Sequence, residues 1–228
     1  MRQPLAIFAA FLLFCFGAST AAAVQTSPCE PQRWAPEMAA FEKQDAQSPP
    51  PKRGLLFVGS SSIRLWDLEK SFPELPAINR GFGGSQLCDS VHHAELLVLK
   101  HQPAKIVVYA GDNDIAAGKS PEQVAGDFQA LVATVRAALP RTPIIYIAIK
   151  PSIARWKLAE KMKRANKLIE AQCAKNEGLH FVDVWRPMLG DDGQPRRELF
   201  RDDGLHLNDA GYALWAELVK PMLLDAAK

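Results

Sequence analysis

Several features that would set a class are scarce in this chain. Charge of one sign is one: 27 Lys and Arg against 25 Asp and Glu leave 228 residues at a net +2. Phosphate neutralisation needs a clear basic excess, so nucleic acid is excluded as the main partner. Long apolar runs are also missing after the N-terminus, where nothing approaches the ~20 residues of a membrane span. Cysteine is limited to four, and no CxxC or Cys/His metal spacing occurs. There is no internal repeat and no low-complexity tract. What is there, 48% hydrophobic and 8% aromatic residues, excludes a largely disordered or collagen-like chain. The length suits one domain of roughly 200 residues.

The N-terminus stands apart from the rest. Arg2 precedes a short apolar stretch from Leu5 to Ala18, and Ser19-Thr20-Ala21-Ala22-Ala23 supplies the small side chains a signal peptidase accepts. This predicts a cleavable signal peptide over residues 1–23. It also predicts a secreted or periplasmic protein with no membrane span in its mature form. An uncleaved anchor is the alternative. Phe14 before Cys15 argues against a lipoprotein, which needs a small residue there. Cleavage removes Arg2 and Cys15 and leaves Cys29, Cys88 and Cys173. An oxidising compartment permits one bridge among them. Cys29 with Cys173 would tie the N-terminal segment to a late helix, and three buried thiols is the equal alternative.

Residues 24–53 read as an N-terminal helix and a spacer. Trp34, Met38 and Phe41 form a helical stripe, and Ser48-Pro49-Pro50-Pro51 ends it. From Gly54 onward, short apolar runs alternate with helical patterns. The runs are Gly54–Val58, Ala77–Asn79, Lys105–Tyr109, Ile144–Ile149 and His180–Val184. Continuous β-branched runs without polar alternation predict strands covered on both faces, as in a parallel sheet. Helices are expected over Ser90–Lys100, from Ser120-Pro121, over Trp156–Lys175 and over Asn208–Leu224, Ser120 and Pro121 giving a strong start. Alternation throughout predicts one α/β domain over residues 54–228, a three-layer α/β/α sandwich.

In such sheets, functional groups gather just past the C-terminal ends of strands. Those positions hold Gly59-Ser60-Ser61-Ser62, Arg80-Gly81-Phe82-Gly83-Gly84-Ser85 and Ala110-Gly111-Asp112-Asn113-Asp114. The loop before the last helix holds Asp202-Asp203-Gly204-Leu205-His206. A hydroxyl nucleophile needs an imidazole base, an acid to orient it, and donors for the developing oxyanion. Ser61 is the candidate nucleophile, His206 the base and Asp203 the acid, three residues apart on one loop. Ser61 and Gly84 offer backbone N–H groups, and Asn113 offers a side-chain amide.

These blocks resemble the SGNH, or GDSL-type, hydrolase family, with Ser61, Gly84, Asn113 and His206 at its four named positions and Asp203 at the Asp of its DxxH signature. The resemblance covers about Gly54 to Leu224 and is nearest the acylhydrolase and platelet-activating-factor acetylhydrolase-like branch. It implies a flavodoxin-like sandwich of about five parallel strands. It further implies hydrolysis of a small-molecule ester through an acyl-enzyme, with no metal and no cofactor. One residue departs from the pattern: the usual Gly-Asp-Ser is Gly59-Ser60-Ser61. Ser60 can make the local turn hydrogen bond more weakly. The change leaves Ser62 as a second candidate nucleophile, and a noncatalytic module on the same sandwich as the alternative function.

Other motifs lead nowhere sharper. Gly81-Phe82-Gly83-Gly84 lacks the third glycine of a dinucleotide fingerprint, and Asp112-Asn113-Asp114 fails the EF-hand pattern at Ala117 and Gln123. His92 and His93 diverge on a helix, and His101 and His180 have no partner spacing. Arg155, Lys157, Lys161, Lys163, Arg164 and Lys167 read as a solvated face that would also steer anionic substrates. Arg64, Trp66, Lys150, Trp156 and Phe200 are placed to line a pocket or pack in the core. Substrate choice stays open among short acyl esters, lysophospholipids and acetylated carbohydrates, with short acyl chains favoured, and oligomeric state is undetermined.

Overall fold

The computed structural model describes residues 29–224, so the expected signal peptide lies outside the described residues. A 3-10 turn over Pro31–Trp34 leads into α1 (Ala35–Gln47), which stops at Ser48 before the prolines. Then follow β1 (Leu55–Gly59), α2 (Ser61–Arg64), α3 (Leu68–Ser71), β2 (Ala77–Gly81), α4 (Leu87–His92) and α5 (Ala94–Leu97). The chain continues with β3 (Lys105–Tyr109), α6 (Asp112–Ala116), α7 (Pro121–Ala138), β4 (Ile144–Ile147), α8 (Ala159–Lys175), β5 (Leu179–Val182) and α9 (Asp209–Leu224).

All five strands are parallel, in the order β2-β1-β3-β4-β5. Alternate strand residues feed two cores. Leu56, Val58, Ile106, Val108, Ile144 and Tyr146 pack under α1, α4, α5, α7 and α8. Leu55, Phe57, Val107, Tyr109, Ile145 and Ile147 pack under α2, α3 and α9. Both faces are covered, which is why the strands read as unbroken apolar runs. The order is the flavodoxin-like one, and its direction of winding reverses between β1 and β3, where a crevice opens at the carboxyl ends.

Local chemistry sets the helix ends. Ser120 Oγ accepts the Gln123 N–H while Gln123 Oε1 accepts the Ser120 N–H, a capping box that starts α7. The helix expected over Ser90–Lys100 starts earlier, because the Gln86 N–H donates to Asp89 Oδ2 at 2.8 Å, and it breaks at His93 into α4 and α5. Lys105 donates to the last carbonyls of α9, Met222 O at 2.7 Å and Leu223 O at 3.0 Å, groups that a helix end leaves unsatisfied. No helix among the described residues is long and apolar enough to cross a membrane.

The cysteines pair differently from the Cys29–Cys173 bridge considered from the sequence. Cys29 is joined to Cys88, 59 residues later, and Cys173 is a free, buried thiol of α8 whose pKa burial raises to about 11. The N-terminal segment runs beside α4, where His93 Nε2 donates to Pro31 O at 3.0 Å, and Trp34 packs edge-on against Phe82. These contacts hold Cys29 over the start of α4, where Cys88 lies. A bridge closing a loop of this length removes about 4 kcal/mol of chain entropy from the unfolded state in the simplest model, and such bridges typically contribute about 2–4 kcal/mol. Cys29→Ser with Cys88→Ser, or reduction, is expected to lower the melting temperature by roughly 5–15 °C. The far-UV circular dichroism should stay unchanged below the transition, because both cores remain; thermal melts with and without reductant measure this.

Candidate active site

The crevice is built from backbone approach. Gly59 ends β1 at φ +139°, and a Cβ there would lie 1.9 Å from Tyr109 O, so only glycine lets β1 turn so close to β3. The Ser60 N–H donates to Tyr109 O at 3.0 Å, and α2 begins immediately at Ser61. The three consecutive serines then separate. Ser60 is fully buried, and its Oγ has no hydrogen-bond partner, so the turn hydrogen bond expected of it is not made. Ser62 is buried too, with Oγ 3.2 Å from Lys150 Nζ. Ser61 alone is half-exposed, and its hydroxyl donates to His206 Nε2 at 3.0 Å.

His206 is oriented by its own loop. Its Nδ1–H donates to Asp203 Oδ2 at 2.6 Å, while Asp203 Oδ1 accepts the N–H groups of Leu205 and His206, each at 2.9 Å. A carboxylate only accepts, which places the ring proton on Nδ1 and leaves Nε2 free to accept from Ser61. Partial desolvation pushes the Asp203 carboxyl up, but these three hydrogen bonds outweigh it and hold the group well below the usual carboxylate range. Asp203 therefore stays ionised at neutral pH.

Gly84 adopts φ +83° in the loop after β2, with Trp34 packed 3.7 Å from where its Cβ would be. Neither the Ser61 nor the Gly84 N–H donates to a protein acceptor among the described residues. The Asn113 side chain projects from α6, its Nδ2 donating to Ser85 O at 2.9 Å. Ser61, Gly84, Asn113 and His206 line one pocket of about 350 Å³ together with Glu37, Arg64, Gly83, Arg155 and Leu205. Asp203 stands behind His206, outside that lining.

Glu37 and Arg155 are not among the residues the sequence singles out for the site. Arg155 reads there as part of a solvated cationic face, which holds for Lys157, Lys161, Lys163, Arg164 and Lys167, all exposed. Arg155 instead turns inward from the loop after β4, donating from Nη2 to Asn113 Oδ1 at 2.8 Å and pairing with Asp112 Oδ2 at 3.1 Å. The strand-end rule that found the other loops, applied to β4, would have found it. Glu37 has no such signal, because it reaches the pocket through the packing of Trp34.

Beneath the pocket lies a buried charged layer. Lys150, fully buried, donates to Tyr109 Oη at 3.0 Å and to Asp112 Oδ2 at 3.2 Å. Burial lowers the Lys150 pKa, and Asp112 opposes the shift. Burial pushes Asp112 up, but Lys150 and Arg155 outweigh it and hold the carboxyl below its ordinary value. Asp114 accepts the Leu87 N–H at 3.1 Å and the Lys119 ammonium at 3.1 Å, away from the pocket. Trp66 and Phe200 are core residues, and Trp156 stacks on Trp185. His101 lies buried beside Arg80, and His180 is exposed on β5. Among the described residues, the one grouping of three metal-ligand types is Cys29, Cys88 and Asp89, whose two sulfurs are spent in the disulfide.

Residues 65–214 match the model of the GDSL-like lipase/acylhydrolase family. That span holds Gly84, Asn113, Asp203 and His206 and begins just after Ser61. The alpha1 subunit of platelet-activating factor acetylhydrolase IB from Bos taurus is 28% identical over 201 residues, 84% of this chain and 83% of that protein. A GDSL-like lipase structure from Bacteroides thetaiotaomicron superposes with a TM-score of 0.69 at 22% identity, covering 85% of this chain and 97% of that one. A catalytic mutant of an acetylxylan esterase from Geobacillus stearothermophilus superposes at 0.61 with 14% identity, covering 77% and 96%. These two likenesses show a shared fold. With well over half of its length matched, the chain belongs to the GDSL-like lipase/acylhydrolase family and is a carboxylic ester hydrolase.

Proposed function

We propose that the protein is an exported serine esterase that cleaves short-chain acyl esters of small molecules through an acyl-enzyme on Ser61. The hydrogen-bonded line from Ser61 Oγ to His206 Nε2 at 3.0 Å, and from His206 Nδ1 to Asp203 at 2.6 Å, carries this reading. In the proposed sequence His206 takes the Ser61 proton as Oγ attacks the ester carbonyl. The N–H groups of Ser61 and Gly84 and the free amide hydrogen of Asn113 receive the oxyanion. His206 then protonates the leaving alcohol, and water, activated by the same imidazole, releases the acid. Asp203 keeps the ring in the required tautomer and stabilises the imidazolium.

The pocket lining supports short acyl chains. Leu205 is its one aliphatic side chain, and the rest is charged, polar or glycine. Each buried methylene of a longer chain is worth about 0.8 kcal/mol only where apolar surface covers it. Acetyl-bearing substrates fit this surface, and the structural relatives include an esterase of acetylated xylan. Export is supported by the charged start, apolar run and small residues of positions 1–23, and by the Cys29–Cys88 disulfide, a bond that persists in oxidising compartments.

A fluorophosphonate probe is expected to label the folded protein once, with labelling abolished in Ser61→Ala. Ser60→Ala should label and turn over like the parent and melt at the same or a slightly higher temperature, since it deletes a buried hydroxyl that bonds nothing. Labelling that persists in Ser61→Ala contradicts the assignment. Asn113→Ala is expected to lower kcat about 10²–10³-fold, the loss typical of one oxyanion donor, in a protein that stays folded by circular dichroism. Across p-nitrophenyl esters from acetate to decanoate, kcat/KM should be greatest at two to four acyl carbons. Greatest activity at eight or ten carbons would contradict the short-chain reading.

A further inference from the structure

The amide of Asn113 has two possible orientations, and its neighbours allow one. Arg155 Nη2 lies 2.8 Å from Oδ1, and a guanidinium only donates. Ser85 O lies 2.9 Å from Nδ2, and a carbonyl only accepts. Turning the amide over would set two donors against each other on one side and two acceptors on the other. One Nδ2 hydrogen is thus committed to Ser85, and the second is left for the pocket. The backbone is held as well, the Asn113 N–H donating to Asp112 Oδ1 at 3.0 Å.

Arg155 is itself fixed from below. Asp112 Oδ2 accepts a hydrogen bond from Lys150 Nζ at 3.2 Å and forms an ion pair with Arg155 Nη1 at 3.1 Å, a contact of charges without hydrogen-bond geometry, with the Asp112 side chain only 6% exposed and that of Arg155 19%. Lys150 in turn touches Ser62 Oγ and Tyr109 Oη. A buried carboxylate with two cations is costly to assemble, and removing one partner leaves an uncompensated buried charge, so the groups hold one another in place. Here the fixed object is the guanidinium that faces Asn113.

We propose that Arg155 is a positioning residue for the oxyanion donor: it locks the Asn113 amide so that one hydrogen points at the reacting carbonyl oxygen, and Asp112 with Lys150 holds Arg155 in place. The proposal rests on the oxyanion role given to Asn113. It differs from a role in binding an anionic group of the substrate, which a pocket-lining guanidinium also offers.

A double-mutant cycle separates these roles. With p-nitrophenyl acetate, Arg155→Met is expected to lower kcat about 10–50-fold, less than full loss of the donor, with KM changed by less than about two-fold. In an Asn113→Ala background the same substitution should cost less than about two-fold, because nothing remains to be positioned. Arg155→Lys should recover part of the loss, having one donor to offer but no fork. Unchanged kcat in Arg155→Met, or an equal cost with and without Asn113, overturns the proposal. A second readout does not need turnover. The side-chain amide resonances of Asn113, identified by their loss in Asn113→Ala, should move and broaden in Arg155→Met, and an unmoved pair overturns the lock. Wild-type protein that neither hydrolyses esters nor takes a fluorophosphonate would bring down the esterase reading instead, and the resonances would still decide whether the lock exists.

Discussion

The site depends on the registration of three parallel strand ends. Gly59 of β1 stands opposite Gly81 of β2 on one side and Tyr109 of β3 on the other. The Phe82 N–H donates to Gly59 O at 2.9 Å, and the Ser60 N–H donates to Tyr109 O at 3.0 Å. From this common line Ser61 lies two residues on, Gly84 three residues past Gly81, and Asn113 four residues past Tyr109. The proposed chemistry needs a hydroxyl and two kinds of donor around one carbonyl. Parallel pairing delivers all three from one edge, and a slip of one residue in β1 would turn Phe57 and Val58 to the wrong faces of the sheet. Placement of the candidate site residues and core packing are thus the same constraint.

The other half of the site is organised locally. Asp203 spends one oxygen on the backbone of its own loop and the other on the His206 ring, so the loop that carries the proposed acid and base needs little help from the core. This explains how an aspartate whose side chain is 47% exposed can still orient an imidazole. Arg155 joins the two halves, since it leaves the loop after β4 and ends on Asn113, while Ala154 of that loop donates its N–H to Gly204 O beside Asp203 and His206. The buried Lys150–Asp112 pair sits under both the serine turn and the Asn113 turn. The floor of the pocket is therefore ionic, where most of the surrounding core is apolar.

The strands and the ligand edge were legible in the sequence because both depend on local signals. Apolar runs such as Lys105–Tyr109 and Ile144–Ile147 mark buried strands, and the residues just after them carry the glycines, serines and amides of the site. The disulfide was not legible. Which of Cys88 and Cys173 meets Cys29 is decided by where the N-terminal segment lies, and that follows from Trp34 packing on Phe82. Arg155 was masked by its neighbours, because a run of exposed lysines and arginines hides one member that turns inward. Ser60 carries a further lesson. The family's Asp at that place suggests a working group, yet the serine hydroxyl here is buried with no partner and touches neither His206 nor the pocket.

In the proposed function, the register of β1 makes Ser61, and neither neighbouring serine, the residue that carries the acyl group. Rapid quenching of the wild-type protein during turnover of p-nitrophenyl acetate, followed by peptide mapping in a mass spectrometer, locates that group. An acetyl group on Ser61 is expected, forming within the first turnover and decaying as substrate is exhausted. An acetyl group on Ser60 or Ser62, or hydrolysis with no acylated serine, would contradict it.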